Sequence, residues 1–179
     1  MKNFLQLGAG INTMPVLHAL KVNDALWDQI PLRTKYPNTP HAQASDILVW
    51  FNAIPDDPST VIDDIEVQPY PAWHLLPQLR PLIFDLMRAV EGVRLGRVVI
   101  TKLRPGTCIT PHCDGGAPAT YFTRYQIALQ ALPGNVFHCG GETISMRTGD
   151  VWWFDNTQEH AVENGSSDDR IVVIVDIRQ

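Results

Sequence analysis

The second half of the chain is a succession of short strand-like segments, and this pattern restricts the possible folds most. After Gly96, turn-forming Gly, Pro, Asn and Asp residues separate eight apolar or alternating runs, namely RVVITKL, TCIT, RYQIALQAL, NVFHC, GETISM, DVWWF, HAVEN and RIVVIVDIR. Short strands with turn residues between them are typical of a β-sandwich or jelly roll. Both faces of the last run are largely apolar at its centre, which predicts a central strand covered on both sides.

The first half of the chain indicates helices and loops rather than a second β-domain. Apolar residues at helical spacing predict helices over Met14–Ile30 and Leu75–Glu91, the second one ending at Gly92. Asp46–Asn52 is a predicted strand. We therefore expect a single domain, residues 1–179, that is mainly β with flanking helices. In it a helix-containing layer (1–95) packs on a β-core (96–179).

Composition excludes several classes of protein. Hydrophobic residues make up 45% and charged residues 18% of the 179 residues, which indicates a globular chain. The net charge of −5 argues against non-specific binding to nucleic acid or to an anionic membrane. Three cysteines without CxxC spacing do not suggest a disulfide scaffold. Without a long apolar run, the chain is expected to be soluble and cytoplasmic.

The segment LRPGTCITPHCDGG, residues 103–116, contains the most informative pair of side chains. His112 and Asp114 are two residues apart at the end of a strand-like run, so they are expected to point the same way. His160 is the best candidate for a third ligand. Two histidines and one carboxylate, with other coordination positions open, suit a non-heme Fe(II) oxygenase. The alternative is an ordinary turn with a hydrogen-bonded His112, and a surface His160 beside Glu159.

Two further groups have alternative interpretations. Arg170 opens the last strand, either as an exposed charge or as an arginine that binds a carboxylate at the edge of a pocket. His138, Cys139 and Cys113 offer ligands for a zinc site, although their irregular spacing makes zinc the weaker hypothesis. Strand alternation predicts that Cys113 points away from the metal.

Several motifs occur together in a recognisable order: ITKLRPGTCITPHCD, RYQIAL, GGE, GDVWWFDN, HAVEN and RIVVIVDIR. In this order they resemble the aspartyl/asparaginyl β-hydroxylase family of 2-oxoglutarate-dependent oxygenases. The resemblance covers roughly residues 96–178, and the first half of the chain matches only loosely. It implies a double-stranded β-helix, a cupin-like jelly roll, for the β-core. It also implies Fe(II) as the cofactor, with 2-oxoglutarate and O2 as co-substrates.

Carried over by position, the resemblance assigns the metal ligands and one anchor of the co-substrate. His112, Asp114 and His160 would bind Fe(II) and thereby form the catalytic centre. Arg170, ten residues after His160 as in the family, would pair with the distal (C5) carboxylate of 2-oxoglutarate. Vertebrate β-hydroxylases lack the metal carboxylate and read His-x-Gly, whereas this chain has Asp114.

Three more residues would contact the co-substrate according to the resemblance. Thr101 matches a hydroxyl residue near the C5 carboxylate. Arg124 and Gln126 match an Arg-x-His pair near the C1 carboxylate. Gln126 stands in place of the usual histidine; its amide can still donate a hydrogen bond but cannot titrate.

These observations predict a dioxygenase that hydroxylates a C–H bond. The resemblance implies an Asp, Asn or other residue of a peptide or protein as the substrate, with a free amino acid as the second possibility. The alternative class is a metal-binding cupin-like protein without oxygenase activity, either an isomerase or a binding module. A zinc- or disulfide-structured protein is a third possibility.

Overall fold

β-Strands make up most of the regular structure in the computed structural model, which describes residues 2–54, 56 and 63–179. Its strands are β1 (Phe4–Gly8), β2 (Ala44–Phe51), β3 (Gln68–Pro69), β4 (Arg94–Leu103), β5 (Cys108–His112), β6 (Thr123–Gln130), β7 (Asn135–Cys139), β8 (Glu142–Ile144), β9 (Val151–Phe154), β10 (His160–Asn164) and β11 (Arg170–Arg178). Its helices are α1 (Met14–Val22), α2 (Leu32–Lys35), α3 (Pro71–Leu75), α4 (Leu79–Ala89) and α5 (Gly116–Tyr121), with a 3-10 turn at Asp24–Leu26. In this part of the chain, no helix has the length and apolar character needed to cross a membrane.

The strands form two antiparallel sheets. The large sheet has seven strands in the order β1-β9-β6-β11-β4-β2-β3, and the small sheet has four in the order β5-β10-β7-β8. Apolar side chains of both sheets meet in one buried cluster, which includes Leu103 and Ala128 from the large sheet and Phe137 and Val162 from the small one. The two sheets therefore enclose a common interior, and the mainly β, jelly-roll prediction is confirmed.

All eight predicted runs after Gly96 are strands. β11 lies in the middle of the large sheet between β6 and β4, and its residues from Val172 to Ile177 are buried. This confirms the central, covered position that its apolar faces predicted.

The large sheet also takes strands from the first half of the chain. β2 corresponds to the strand predicted over Asp46–Asn52 and pairs with β4, but β1 was not predicted. β1 lies at the edge of the sheet, where Phe4 pairs with Phe154 of β9. Only Phe4 of this strand is buried, so no alternation of apolar residues marks it in the sequence.

Helices cover the outer face of the large sheet, where residues such as Leu20 of α1 and Ile83 of α4 pack with Ile100 and Val173. The first helix ends at Val22 rather than Ile30. The reason is local: the Asn23 side chain, like its backbone N–H, donates to the carbonyl of Ala19 and thereby ends the helix.

The second predicted helix is divided in two. Pro77, which has no backbone N–H to donate, lies between α3 and α4. At the end of α4 the left-handed backbone position is Glu91, with φ of 56°, and not Gly92. Gly92 is required for another reason, because a Cβ atom there would lie 2.4 Å from Cγ2 of Ile177.

Candidate metal centre and buried arginine

Three side chains converge where β5, at the edge of the small sheet, pairs with β10. His112 ends β5 and lies opposite His160, the first residue of β10. Asp114 follows β5, and its backbone N–H donates to the carbonyl of Asn156, which fixes the loop. Nε2 of His112 lies 3.8 Å from Oδ1 of Asp114, and Nε2 of His160 lies 3.9 Å from Oδ2. Two ligands at ~2.1 Å from one metal lie at most about 4.2 Å apart, so both of these histidine–carboxylate distances are compatible with a shared metal.

Backbone carbonyls determine the tautomer of both histidines. Nδ1–H of His112 donates to the carbonyl of Thr110 at 2.8 Å, and Nδ1–H of His160 donates to the carbonyl of Gln158 at 2.9 Å. Because a carbonyl can only accept, the Nε2 atoms retain their lone pairs toward the cluster. Nε2 of His112 is buried and has no hydrogen-bond partner among the described residues.

The electrostatics favour the metal-binding protonation states of Asp114 and His160. Burial alone would raise the pKa of Asp114, but Arg124 and the two histidines attract its charge and hold the pKa below its ordinary value. Burial lowers the pKa of His160, although Asp114 opposes this effect. A carboxylate and neutral imidazoles are what a divalent metal requires.

The zinc alternative lacks a cluster in the described part of the chain. The group of possible ligands found there consists of His112, Asp114 and His160 and includes no cysteine. Cys113 is exposed, in agreement with the expectation that it points away. Cys139 is buried, and its thiol donates to the carbonyl of Asp155 at 3.2 Å. One carboxylate and two imidazoles are a ligand set that suits Fe(II), whereas the zinc alternative would require cysteine thiolates.

Arg170 is buried inside the jelly roll, with 1% of its surface exposed, and is not a surface charge at the start of a strand. Its Nη2 donates to Oε1 of Gln126 at 3.1 Å and lies 3.2 Å from the sulfur of Met146. Its Nε has no partner in the described residues, and no carboxylate there pairs with it. Burial lowers the pKa of Arg170 to about 10. A buried guanidinium without a carboxylate partner is costly, so an anion that entered the interior would relieve this charge.

Arg124 is engaged by two carboxylates of the chain. Its Nη1 donates to Oδ2 of Asp114 at 2.5 Å, and its Nε and Nη2 donate to the two oxygens of Asp176 at 2.7 and 2.8 Å. Asp176 was not singled out from the sequence. A carboxylate in the apolar run of a covered strand was the signal that could have identified it.

Thr101 also has a partner within the chain. Its hydroxyl donates to Oδ1 of Asp46 at 2.7 Å, and Arg33 binds the other oxygen at 3.0 Å. Asp46 and Arg33 were not identified from the sequence either. Of the four residues that the resemblance assigned to the co-substrate, Arg170 and Gln126 are thus the two that have no carboxylate partner in the described part of the chain.

A cavity of about 640 Å³ adjoins the metal cluster. Asp114 and Arg124 contribute to its wall together with apolar side chains, among them Leu32, Val99 and Ile174. A mostly apolar cavity therefore lies directly next to Asp114, one of the candidate metal ligands.

Comparison with known proteins places this geometry in context. The sequence model of the aspartyl/asparaginyl beta-hydroxylase family matches residues 18–179. Two proteins named aspartyl/asparaginyl beta-hydroxylase are similar: the mouse protein is 29% identical over 97 residues, 53% of this chain, and the human protein 32% identical over 88 residues, 48% of this chain. The aligned parts are only 13% and 11% of the length of those two relatives.

A solved structure shows that the fold extends over most of the chain. It is an oxidoreductase of the 2OG-Fe(II) oxygenase family from Burkholderia pseudomallei, 18% identical, with a TM-score of 0.57. The match covers 90% of this chain and 78% of the other. At this identity the likeness concerns the fold, and the functional argument depends on the family match and the site.

Proposed function

Because this chain belongs to the aspartyl/asparaginyl beta-hydroxylase family, we propose that it is an Fe(II)- and 2-oxoglutarate-dependent dioxygenase that hydroxylates a C–H bond. The observation that carries the proposal is the cluster of His112, Asp114 and His160. Its two Nε2 atoms and one carboxylate face a common point, and each Nδ1 is held by a backbone carbonyl.

Each ligand has a defined task in this proposal. His112 and His160 would bind the iron through Nε2, and Asp114 would bind it through a carboxylate oxygen. Three ligands on one face leave the remaining positions for co-substrate and O2. When bound, Fe(II) with 2-oxoglutarate and O2 would convert R–H into R–OH, with succinate and CO2 as the other products.

Arg170 would anchor the co-substrate. 2-Oxoglutarate has a carboxylate at each end, so its far end needs a cation at a distance from the iron. Arg170 is a buried cation without a carboxylate partner among the described residues, and a guanidinium binds a carboxylate bidentately. Burial within the jelly roll excludes water from this pair, which strengthens it. A plain metal cupin has no need of such a group.

We further propose an Asp or Asn residue in a peptide or protein as the substrate, following the names of the relatives. The cavity next to Asp114 is large enough for one side chain with adjoining backbone. Incubation with Asp- and Asn-containing peptides and with free amino acids, followed by mass spectrometry, distinguishes these substrates by the gain of one oxygen atom. Hydroxylation of free amino acids alone would contradict a peptide or protein substrate.

Anaerobic titration with Fe(II) and then 2-oxoglutarate tests the cofactor assignment. We expect a visible charge-transfer band when the 2-oxo acid chelates the iron, and no band in the variant His160→Ala. If iron binds and no band forms, the oxygenase proposal fails and the cupin-like binding protein becomes the better explanation.

A further inference from the structure

We propose that Arg124 positions the metal ligand Asp114 instead of binding the co-substrate, and that Asp176 holds Arg124 in the required orientation. This inference rests on the proposed function, because it assumes a metal at the His112, Asp114 and His160 cluster. It differs from the role that the family resemblance assigns to Arg124, which is a contact with the C1 carboxylate.

The hydrogen bonds of Arg124 are already directed at the chain itself. The guanidinium donates two hydrogen bonds to Asp176, from Nε and Nη2, and a third to Asp114 from Nη1. Two carboxylates therefore surround one cation. A third carboxylate, that of 2-oxoglutarate, would find the positive charge of Arg124 already matched, whereas Arg170 has no carboxylate partner in the described residues.

The contact with Arg124 also selects which oxygen of Asp114 is available. Arg124 donates to Oδ2 at 2.5 Å, the oxygen that lies 3.9 Å from Nε2 of His160, while Oδ1 lies 3.8 Å from Nε2 of His112. The hydrogen bond from Arg124 thus uses part of the binding capacity of Oδ2 and favours Oδ1 as the oxygen for the metal. Binding through one oxygen rather than two keeps a further coordination position open. A hydrogen-bonded partner behind a metal ligand fixes its orientation in this way in many metal sites.

Asp176 is well placed to keep Arg124 in position. It lies on β11, directly opposite Arg124 on β6, in the middle of the large sheet. Its surface is 1% exposed, and Arg124 occupies both of its oxygens. The orientation of Arg124 is thus determined by a cross-strand pair between two neighbouring strands of the large sheet.

Co(II) titration of the whole chain, in the absence of 2-oxoglutarate, measures the metal site without any turnover. In Asp176→Asn an amide N–H faces the guanidinium in place of an oxygen, so the bidentate pair is lost. In Arg124→Lys the charge is kept, but a single ammonium cannot bridge both carboxylates. We expect both variants to bind Co(II) about 10- to 100-fold more weakly and to show an altered Co(II) absorption spectrum.

Asp46→Asn is the matched control. It also breaks a buried Arg–Asp pair on the inner face of the large sheet, namely that with Arg33, but the described contacts of Asp46 include none with the three metal ligands. We expect its Co(II) affinity to stay within about twofold of that of the unmodified chain. Circular dichroism shows whether each variant is folded. If Asp176→Asn does not fold, Arg124→Lys alone provides the test.

The outcomes separate this inference from the proposed function. If the unmodified chain binds neither Co(II) nor Fe(II), the proposed function fails first. If it binds metal, and the folded variants bind Co(II) equally well, the positioning role is wrong. If Arg124→Lys keeps its Co(II) affinity but loses that for 2-oxoglutarate, Arg124 is a co-substrate residue as the resemblance implies.

Discussion

Arg170 donates from Nη2 to Oε1 of Gln126 at 3.1 Å, deep inside the jelly roll. This neutral amide is the oxygen acceptor that the described residues offer to a guanidinium with 1% exposure. The pair lies on strands β11 and β6, on the face that points into the interior with Arg124 and Asp176. The chain therefore keeps a poorly compensated charge at this place.

Replacing Arg170 by Met is expected to weaken the binding of 2-oxoglutarate and to stabilise the fold. Loss of a charged hydrogen-bonded pair costs about 1.5–3 kcal/mol, which is roughly 10- to 100-fold in affinity. Removal of a buried, unpaired charge should raise the free energy of unfolding by about 1–3 kcal/mol. Calorimetric titration and urea unfolding measure the two effects. Lower stability together with unchanged affinity would show that Arg170 has a purely structural role.

Replacing Gln126 by Glu should give Arg170 a carboxylate partner from the chain itself and so block the proposed co-substrate site. The new carboxylate would neutralise Arg170 and repel the dicarboxylate, so the affinity for 2-oxoglutarate should fall about 10-fold, or roughly 1.4 kcal/mol. Gln126→Met is the control, since it has a similar length and no charge, and a smaller loss is expected. Equal losses in both variants would indicate that the amide itself contacts the co-substrate. Titration with 2-oxoglutarate at saturating metal measures both.

Thr101→Val should affect stability more than co-substrate binding. The hydroxyl of Thr101 donates to Asp46, so its loss leaves a buried carboxylate with one partner fewer. We expect a decrease of about 1–2 kcal/mol in the free energy of unfolding, and a change in the affinity for 2-oxoglutarate of less than about threefold. A large loss of affinity with unchanged stability would instead place Thr101 at the co-substrate.

The cysteines should differ sharply in reactivity near pH 8. Burial raises the pKa of the Cys139 thiol to about 11, so only about 0.1% is thiolate at that pH. Cys113 is exposed and should be alkylated first. A thiol whose pKa is raised gains reactivity only as the pH approaches that value, so labelling of Cys139 should increase steeply above pH 9. Mass spectrometry of iodoacetamide-treated protein, before and after unfolding, measures both sites.

The sequence predicted the strands of the small sheet and the pair of His112 and Asp114 because the information there is local. His112 ends β5 and Asp114 follows two residues later, so their spacing in the sequence was enough to bring them together as candidates. The residues that hold them were harder to find. The contact between Arg124 and Asp176 depends on the register of β6 against β11, which a pattern within one strand does not specify. The predicted helix boundaries were wrong because they were based on periodicity alone. Asn23 ends the first helix by capping it, and Pro77 divides the second because it has no backbone N–H to donate.

The peripheral predictions remain open. A cytoplasmic location, and the absence of nucleic-acid and membrane partners, were inferred from composition and stay predictions. The roles of the individual site residues likewise await the variants described above.

The candidate metal ligands and the residues that hold them come from different sheets. His112 and His160 belong to the small sheet and Asp114 follows directly on it, whereas Arg124 and Asp176 belong to the large one. The hydrogen bond from Arg124 to Asp114 thus links the two sheets across the interior, and its length depends on the distance between them. A substitution that increases this distance, even one far from the ligands, would lengthen the hydrogen bond, reorient Asp114 and weaken metal binding.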